Sequence, residues 1–231
     1  MMQNKNNVPV ITIDGPSGTG KGTLCHMLAA KLGWHFLDSG ALYRVLAFAA
    51  TKRAIDFSEI EVLASLAQIL DLRFEVDLAQ NSVVILDGKN ISADIRTEQS
   101  GQNASKIAVI PEVRRALLAR QRAFAISPGL VTDGRDMGTV IFPDAILKIY
   151  LYASVEERAA RRYLQLKQSG NDVSLAQVVD ELVKRDSRDT ERSYSPLKPA
   201  KDAVQIDTTG LTIDQVFNRV LQLTDKALIN R

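Results

Sequence analysis

Val10-Ile-Thr-Ile-Asp14-Gly-Pro-Ser-Gly-Thr-Gly20-Lys21-Gly-Thr23 is the stretch that decides the fold. Residues 10–13 form a short, apolar, β-branched run that reads as a buried strand, and Asp14-Gly15-Pro16 ends it in a tight loop. From Lys21 to Leu32 the residues Leu24, Met27, Leu28, Ala29 and Leu32 recur at helical spacing, and Gly33 is placed to stop that helix. Between strand and helix, Gly15 to Lys21 matches G-x-x-x-x-G-K. In such a loop the glycines let backbone N–H groups converge on phosphate oxygens, and the helix N-terminus adds positive potential. The nucleotide-binding residues are therefore Gly15, Pro16, Ser17, Gly18, Thr19, Gly20, Lys21, Gly22 and Thr23, with Lys21 reaching towards the β- and γ-phosphates. The place after the lysine, where the motif expects Ser or Thr, is Gly22, and the hydroxyl comes one residue later at Thr23. No direct magnesium ligand is expected from this loop.

Outward from the loop, residues 34–37 read as a second strand and Asp38-Ser39-Gly40 opens a helix from 41 to about 52. This βαβα order requires a parallel sheet, because parallel neighbours need a crossover connection. Ser58-x-x-Glu61 is a capping-box signature before a helix through Leu70. Strands at 72–77 and 83–86 flank Gln80-Asn81-Ser82 as a hairpin, polar residues run on to Asn103, and helices follow at 104–109 and from Pro111 to Ala125. After Pro128-Gly129 the strands are expected at 130–132, 145–152 and 204–206. Further capping boxes at Ser154-x-x-Glu157, Ser174-x-x-Gln177 and Thr212-x-x-Gln215 start the remaining helices. The expected fold class is α/β, a five-stranded parallel sheet with helices on both faces. Residues 1–59 and 104–231 make its core, including a polar segment at about 155–200, and 60–103 is an insertion.

The chain has 231 residues with 29 basic and 27 acidic side chains, a formal charge of +2. That balance argues against a general polyanion binder, so no nucleic-acid partner is expected and any basic site must be local. The single cysteine, Cys25, permits no intrachain disulfide and fits a reducing compartment. No stretch reaches the roughly 18 apolar residues of a spanning helix, so no membrane partner is expected and the expected location is cytoplasmic. His26 and His35 lack metal-ligand spacing and read as structural.

The arginines are the local basic features. Ser39-Gly40-x-x-Tyr43-Arg44 follows the second strand, where a parallel sheet presents its ligand edge. Asp133-Gly134-Arg135-Asp136 follows the third, a place where an acid commonly serves a magnesium shell. Arg114, Arg115, Arg120 and Arg122 share a helix and are expected to be mostly solvent-facing. Arg158, Arg161 and Arg162 lie at i, i+3 and i+4, hence on one helix face, and Arg185, Arg188 and Arg192 step along the next polar stretch. Flanking a phosphate loop, these two runs suit a lid that closes over phosphates.

Taken together, Ile13-Asp14-Gly-Pro-Ser-Gly-x-Gly-Lys-Gly-Thr23, Leu37-Asp38-Ser-Gly-Ala-x-Tyr-Arg44, Asp133-Gly-Arg-Asp-Met-Gly-Thr139 with Phe142-Pro-Asp144, and Lys184-Arg-Asp-x-Arg-Asp189 resemble bacterial cytidylate kinases in order and spacing. The resemblance covers essentially the whole chain and places it among P-loop nucleoside monophosphate kinases. It implies that the 60–103 insertion is a small NMP-binding subdomain and that 155–200 is a helical lid carrying Arg158, Arg161, Arg162 and Arg188. Ser39, Arg44 and Arg135 would hold the acceptor phosphate, with Arg192 nearby. Ser105, Arg114 and Asp136 would read the cytosine edge, and Arg185 and Asp189 the ribose. Lys21, Arg135 and Arg192 would supply the catalytic charge. The implied reaction is in-line phosphoryl transfer from ATP to CMP or dCMP by a monomer, with Mg²⁺ held through water and the ATP phosphates. Two other readings stand beside it: a small P-loop kinase with a UMP, AMP or metabolite acceptor, and a non-enzymatic nucleotide- or RNA-binding protein. A guanine-specific switch would carry Asn/Thr-Lys-x-Asp, and the only Thr-Lys, at Thr51-Lys52, lacks the aspartate.

Overall fold

A computed structural model describes residues 8–76, 82–168, 170 and 172–229. In chain order the elements are β1 (Val10–Asp14), α1 (Lys21–Leu32), β2 (His35–Asp38), α2 (Ser39–Lys52), α3 (Ile60–Ile69), β3 (Leu72–Val76), β4 (Ser82–Leu86) and β5 (Lys89–Asn90). Then come α4 (Glu98–Ile107), α5 (Pro111–Ala123), β6 (Leu130–Gly134), β7 (Leu147–Tyr152), α6 (Val155–Gln168), α7 (Leu175–Glu191), β8 (Val204–Asp207) and α8 (Ile213–Ile229). The polar first seven residues and the expected hairpin link Gln80-Asn81 lie outside the described residues.

Two compact units divide the chain: residues up to Asp38 with those from Arg122 onward, and Ser39–Gln121. The first unit holds a five-stranded sheet in the order β2-β6-β1-β7-β8, all pairs parallel. Every residue of β1 and β6 is buried, as continuous apolar runs in a central parallel sheet require. Leu24, Cys25 and Leu28 of α1 and Val216 and Val220 of α8 pack with Ile11, Val131, Ile149 and Ile206 in one core. Gly33 ends α1 in the left-handed conformation, with the Trp34 N–H returning to the Ala29 carbonyl at 2.9 Å. A smaller core of Ala159, Leu166, Val178 and Leu182 joins α6 to α7.

The second unit contains α2, α3, α4, most of α5 and a three-stranded antiparallel sheet in the order β3-β4-β5. Its apolar interior includes Leu42, Leu46, Leu63, Leu66, Ile107 and Leu117. Asp87 and Gly88, with φ of 49° and 75°, make the two-residue turn that pairs Leu86 with Lys89, so a third strand stands where only polar chain was expected. The boundaries expected at 60 and 103 fall inside this unit, because α2 packs on α3, α4 and the 3₁₀ turn at Asp94–Arg96.

Helix starts separate local signals that operate from those that are outcompeted. The boxes at Ser174 and Thr212 form in full, each hydroxyl accepting from the third residue's N–H while that Gln accepts from the cap's N–H. At Ser154 only half forms: its Oγ accepts from Glu157 N, but the Glu157 carboxylate is drawn to Arg161. At Ser58 the box is absent, since the Ser58 hydroxyl and N–H both donate to Asp56, and Glu59 accepts from the Asp56 N–H instead. Helix α4 begins at Glu98 and not at 104, because Thr97 caps it by accepting from Ser100 N at 3.1 Å and small residues (Ser100, Gly101, Ala104, Ser105) form its buried face. Thr97→Ala should accordingly lower the free energy of unfolding by about 1 kcal/mol, read from the urea midpoint at unchanged slope.

Candidate active site

The carboxyl ends of β1, β2 and β6 converge in the first unit, and the parallel register aligns Asp38 with Asp133 and Asp14 with Gly134. The loop after β1 wraps the start of α1. Gly15 has φ of 145°, and a Cβ there would lie 2.1 Å from the Leu151 carbonyl oxygen, so only glycine fits so close to β7. Gly20, at φ 85°, is the N-cap of α1. The Lys21 ammonium is buried and curls back over the loop, donating to the Pro16 carbonyl at 2.5 Å and to Thr19 Oγ1 at 3.3 Å. Gly22 and Thr23 are exposed, and nothing stands within 4 Å of a Cβ at Gly22.

Three charged groups share this edge. Burial pulls the Lys21 ammonium below its ordinary range, helped by Arg135, while Asp133 pulls the other way. Burial also pushes the Asp133 carboxyl up, with the Asp38 carboxylate next in effect. Oδ1 of Asp133 is buried and accepts no hydrogen bond from any described residue. Burial raises Asp14 to about 6, although both its oxygens accept backbone N–H bonds, from Met137 at 2.9 Å and Gly138 at 2.8 Å.

After β6 the chain passes through Arg135 and Asp136 into a π-helical turn at Met137–Ile141. The Arg135 Nε donates to Asp189 Oδ2 of α7 at 2.7 Å. Against the upward push of its own burial, Asp189 is held below the carboxylate range by Arg135, then by Arg185 and Arg192. Asp136, 4% exposed, lies with Oδ1 3.6 Å from the Arg192 guanidinium, and Arg192 Nε donates to the Ser195 carbonyl. The loop thus brings together Lys21, Arg135, Asp136, Asp189 and Arg192, with Arg185 beside them through its charge on Lys21 and Asp189.

A family comparison fits this geometry. A sequence profile described as cytidylate kinase matches residues 11–226. The cytidylate kinase of Pseudomonas savastanoi pv. phaseolicola is 59% identical, over 94% of this chain and 95% of its own length. The chain belongs to the cytidylate kinase family. The cytidylate kinases of Aeromonas hydrophila subsp. hydrophila and Photobacterium profundum are 55% and 54% identical, each over at least 95% of both chains. An uncharacterized protein from Eubacterium ventriosum shares the fold alone, with a TM-score of 0.51 at 11% identity over 95% of this chain and 99% of that one.

In this family member the second unit carries the other residues singled out by sequence. Ser39 is buried and donates to Gln121 Oε1 at 2.7 Å, and Arg44 donates to the Ile95 carbonyl at 3.0 Å. Arg114 is buried, donates to the Ala108 carbonyl and lies over the Tyr43 ring, 5.7 Å from its centroid. The Ser105 hydroxyl is buried with no partner among the described residues. The expectation that the α5 arginines are mostly solvent-facing holds for Arg115, exposed in its pair with Glu112, and is corrected for Arg114, which is buried, and for Arg120, which is half-buried and ties the carbonyls of Gln68 and Leu70. Arg122, in the first unit, is exposed yet ties the carbonyls of Val140 and Ile141.

The arginines of α6 serve three different partners. Arg158 is 3% exposed, donates to the Ser17 carbonyl of the phosphate loop at 3.0 Å and pairs with Asp186 of α7 at 2.7 Å. Arg161 pairs with Glu157 and donates to the carbonyls of Thr208 and Leu211. Arg162 donates to Gln165, and Arg188 to the carbonyl of Lys184 one turn back. Helical spacing identifies a shared face but not what that face meets. Sequence reading also missed Asp14, although an acid ending the strand just before the loop is a visible signal. It missed an open pocket of about 190 Å³ lined by Gly20, Thr23, Leu24, Arg161, Leu211 and Ile213, whose walls come from distant segments. Arg158→Ala should lower stability by about 3 kcal/mol, because it strands Asp186, whereas Arg162→Ala should stay within about 0.5 kcal/mol; chemical unfolding of the two variants measures the contrast.

Proposed function

We propose that this chain transfers the γ-phosphoryl group of ATP to CMP or dCMP, giving ADP and CDP or dCDP. The observation that carries the acceptor assignment is Asp136, a buried carboxylate beside Arg192 in the loop after β6. A carboxylate accepts from the exocyclic amino group of cytosine, whereas uracil presents an acceptor there and is repelled. Ser105 and Arg114 of the second unit contribute to the same base recognition. Ser39 and Arg44, together with Arg135 and Arg192, serve the acceptor phosphate, and Arg185 and Asp189 serve the ribose.

The donor phosphates lie along Gly15 to Thr23, with the base of ATP in the pocket between Gly20, Arg161 and Ile213. An anionic triphosphate restores the charge of the buried Lys21, whose ammonium otherwise rests on loop oxygens. No covalent intermediate is required. Lys21, Arg135 and Arg192 act by positioning and by neutralising charge as one oxygen of the acceptor phosphate attacks in line. The residues fit a magnesium site without a direct ligand from the loop: Gly22 brings no hydroxyl, while the unpartnered Asp133 oxygen, opposite Asp38 in register, can hold water of the ion's shell. When bound, Mg²⁺ offsets charge on the β- and γ-phosphates.

Helices α6 and α7 form the lid in this reading, with the enzyme working as a monomer. Arg158, Arg161, Arg162 and Arg188 on these two helices are the lid arginines that meet the nucleotides on closure. ADP formation from ATP with each nucleoside monophosphate in turn tests the assignment, with CMP and dCMP expected to turn over fastest. Faster turnover of UMP or AMP makes this chain a different P-loop kinase, and no acceptor-dependent ADP makes it a binding protein. Lys21→Ala should fold normally and lose about 10² or more in kcat, since one preorganised charge-stabilising donor is worth that much; a near-normal kcat removes the loop from the mechanism.

A further inference from the structure

The turn at Met137–Ile141 is short, and its internal bonds begin late. Val140 N and Ile141 N return to the Asp136 carbonyl at 2.9 and 3.3 Å, and Phe142 N to Met137 O at 2.7 Å. The N–H groups of Met137 and Gly138 precede these bonds and need partners from outside the turn. Aspartate at the N-cap ordinarily supplies one, and the N-cap here is Asp136. Yet Asp136 makes no side-chain cap bond. The two N–H groups donate instead to Oδ1 and Oδ2 of Asp14, 123 and 124 residues away in the chain.

We propose that Asp14 is a positioning residue for acceptor recognition: by capping the 137–141 turn from the end of β1, it keeps the Asp136 carboxylate off that turn and turned to the cytosine base. The inference rests on the base-reading role of Asp136 argued above. Three features of the site support it. Both Asp14 oxygens are engaged, so the cap has no vacant acceptor on either donor. The turn lies flush on the strand, since a Cβ at Gly138 would stand 2.8 Å from Thr12 Oγ1, and this brings the two N–H groups within reach of Asp14. The carboxylates of Asp14 and Asp136 also repel one another, which opposes a swing of Asp136 onto the donors that Asp14 holds.

Asp14→Asn separates the two functions. The carboxamide can accept from one N–H but presents its own N–H₂ to the other, so one donor is orphaned and Asp136 is drawn back to its ordinary capping place. Steady-state kinetics with ATP and CMP on the wild-type chain, Asp14→Asn, Asp136→Asn and the double variant form the cycle. The KM for CMP should rise about tenfold in Asp14→Asn, with the KM for ATP within about twofold and CMP preference over UMP reduced. In the Asp136→Asn background, Asp14→Asn should add little further. Full additivity of the two changes, or an equal rise in both KM values, overturns the positioning role and leaves Asp14 a part of the general scaffold. An Asp136→Asn enzyme with unchanged CMP dependence is a different failure, which removes the base-reading role and this inference with it. Should Asp14→Asn not fold, Asp14→Ala, which leaves both N–H groups without a side-chain acceptor at that position, runs through the same cycle with the same criteria.

Discussion

A lysine ammonium buried at the carboxyl edge of a parallel sheet is the constraint on which the site depends. Lys21 is 5% exposed, and its charge is supported by a carbonyl and a hydroxyl of its own loop and by the nearby Asp133 carboxyl. Removing a cation from water is unfavourable unless partners replace the solvent. The loop must therefore close tightly, which is why Gly15 stands against the Leu151 carbonyl where no Cβ fits. The same burial leaves Asp133 and Asp14 with raised pKa values, so this edge holds acids and a base each displaced towards neutrality. On the proposed function, the donor phosphates reverse that displacement for the lysine.

Helix α7 answers the arginines with acids at matching spacing. Asp186 and Asp189 are three residues apart and share a face of the helix. One meets Arg158 from α6 at 2.7 Å, and the other meets Arg135 from the loop after β6, also at 2.7 Å. Each pair is mostly buried, so its contribution lies in fixing where the helix sits more than in net stability. Because Arg158 also holds the Ser17 carbonyl, the phosphate loop and the helix bearing Arg185 and Asp189 are tied through one guanidinium. The Leu197 N–H, donating to the Asp189 carbonyl at 2.7 Å, fixes the far end of the same helix.

What could be read from sequence was whatever depends on short spacing. The strand, loop and helix from Val10 to Leu32 stand as expected, since glycine placement and apolar period are local facts. The boxes at Ser174 and Thr212 form for the same reason, and the one at Ser58 fails because Asp56, two residues earlier, takes the serine's hydrogen bonds first. The parallel sheet followed from βα alternation, but the third strand of the second unit hung on an Asp-Gly turn that also reads as plain loop. Of the candidate residues, Arg135, Asp136, Asp189 and Arg192 do meet. The partners of Arg158 and Arg161, the carbonyls of Ser17 and Thr208, could not be read in advance, because an i, i+3 relation is silent about the neighbour across the gap. Asp14 escaped assignment since its partners are backbone groups, which carry no residue signature.

The end of β1 has two neighbours with separate duties. Asp14 is its last residue and Gly15 opens the phosphate loop, so donor phosphates seated on that loop, as proposed above, are referenced to the carboxyl end of this strand. Through its two backbone bonds, Asp14 references the turn that carries Arg135 and Asp136 to the same point. Transfer demands reacting atoms about 3–3.5 Å apart with their orbitals aligned, and misplacement of about 1 Å is enough to cost rate heavily. A donor loop and an acceptor-reading loop hung from different elements would accumulate the motions of both. Hung from adjacent residues at the end of one central strand, they inherit the position of an element that is buried along its whole length and paired on both sides. On the positioning role proposed for Asp14, the acid that ends β1 is as much a part of alignment as the glycine that follows it, although only the glycine belongs to the recognisable motif.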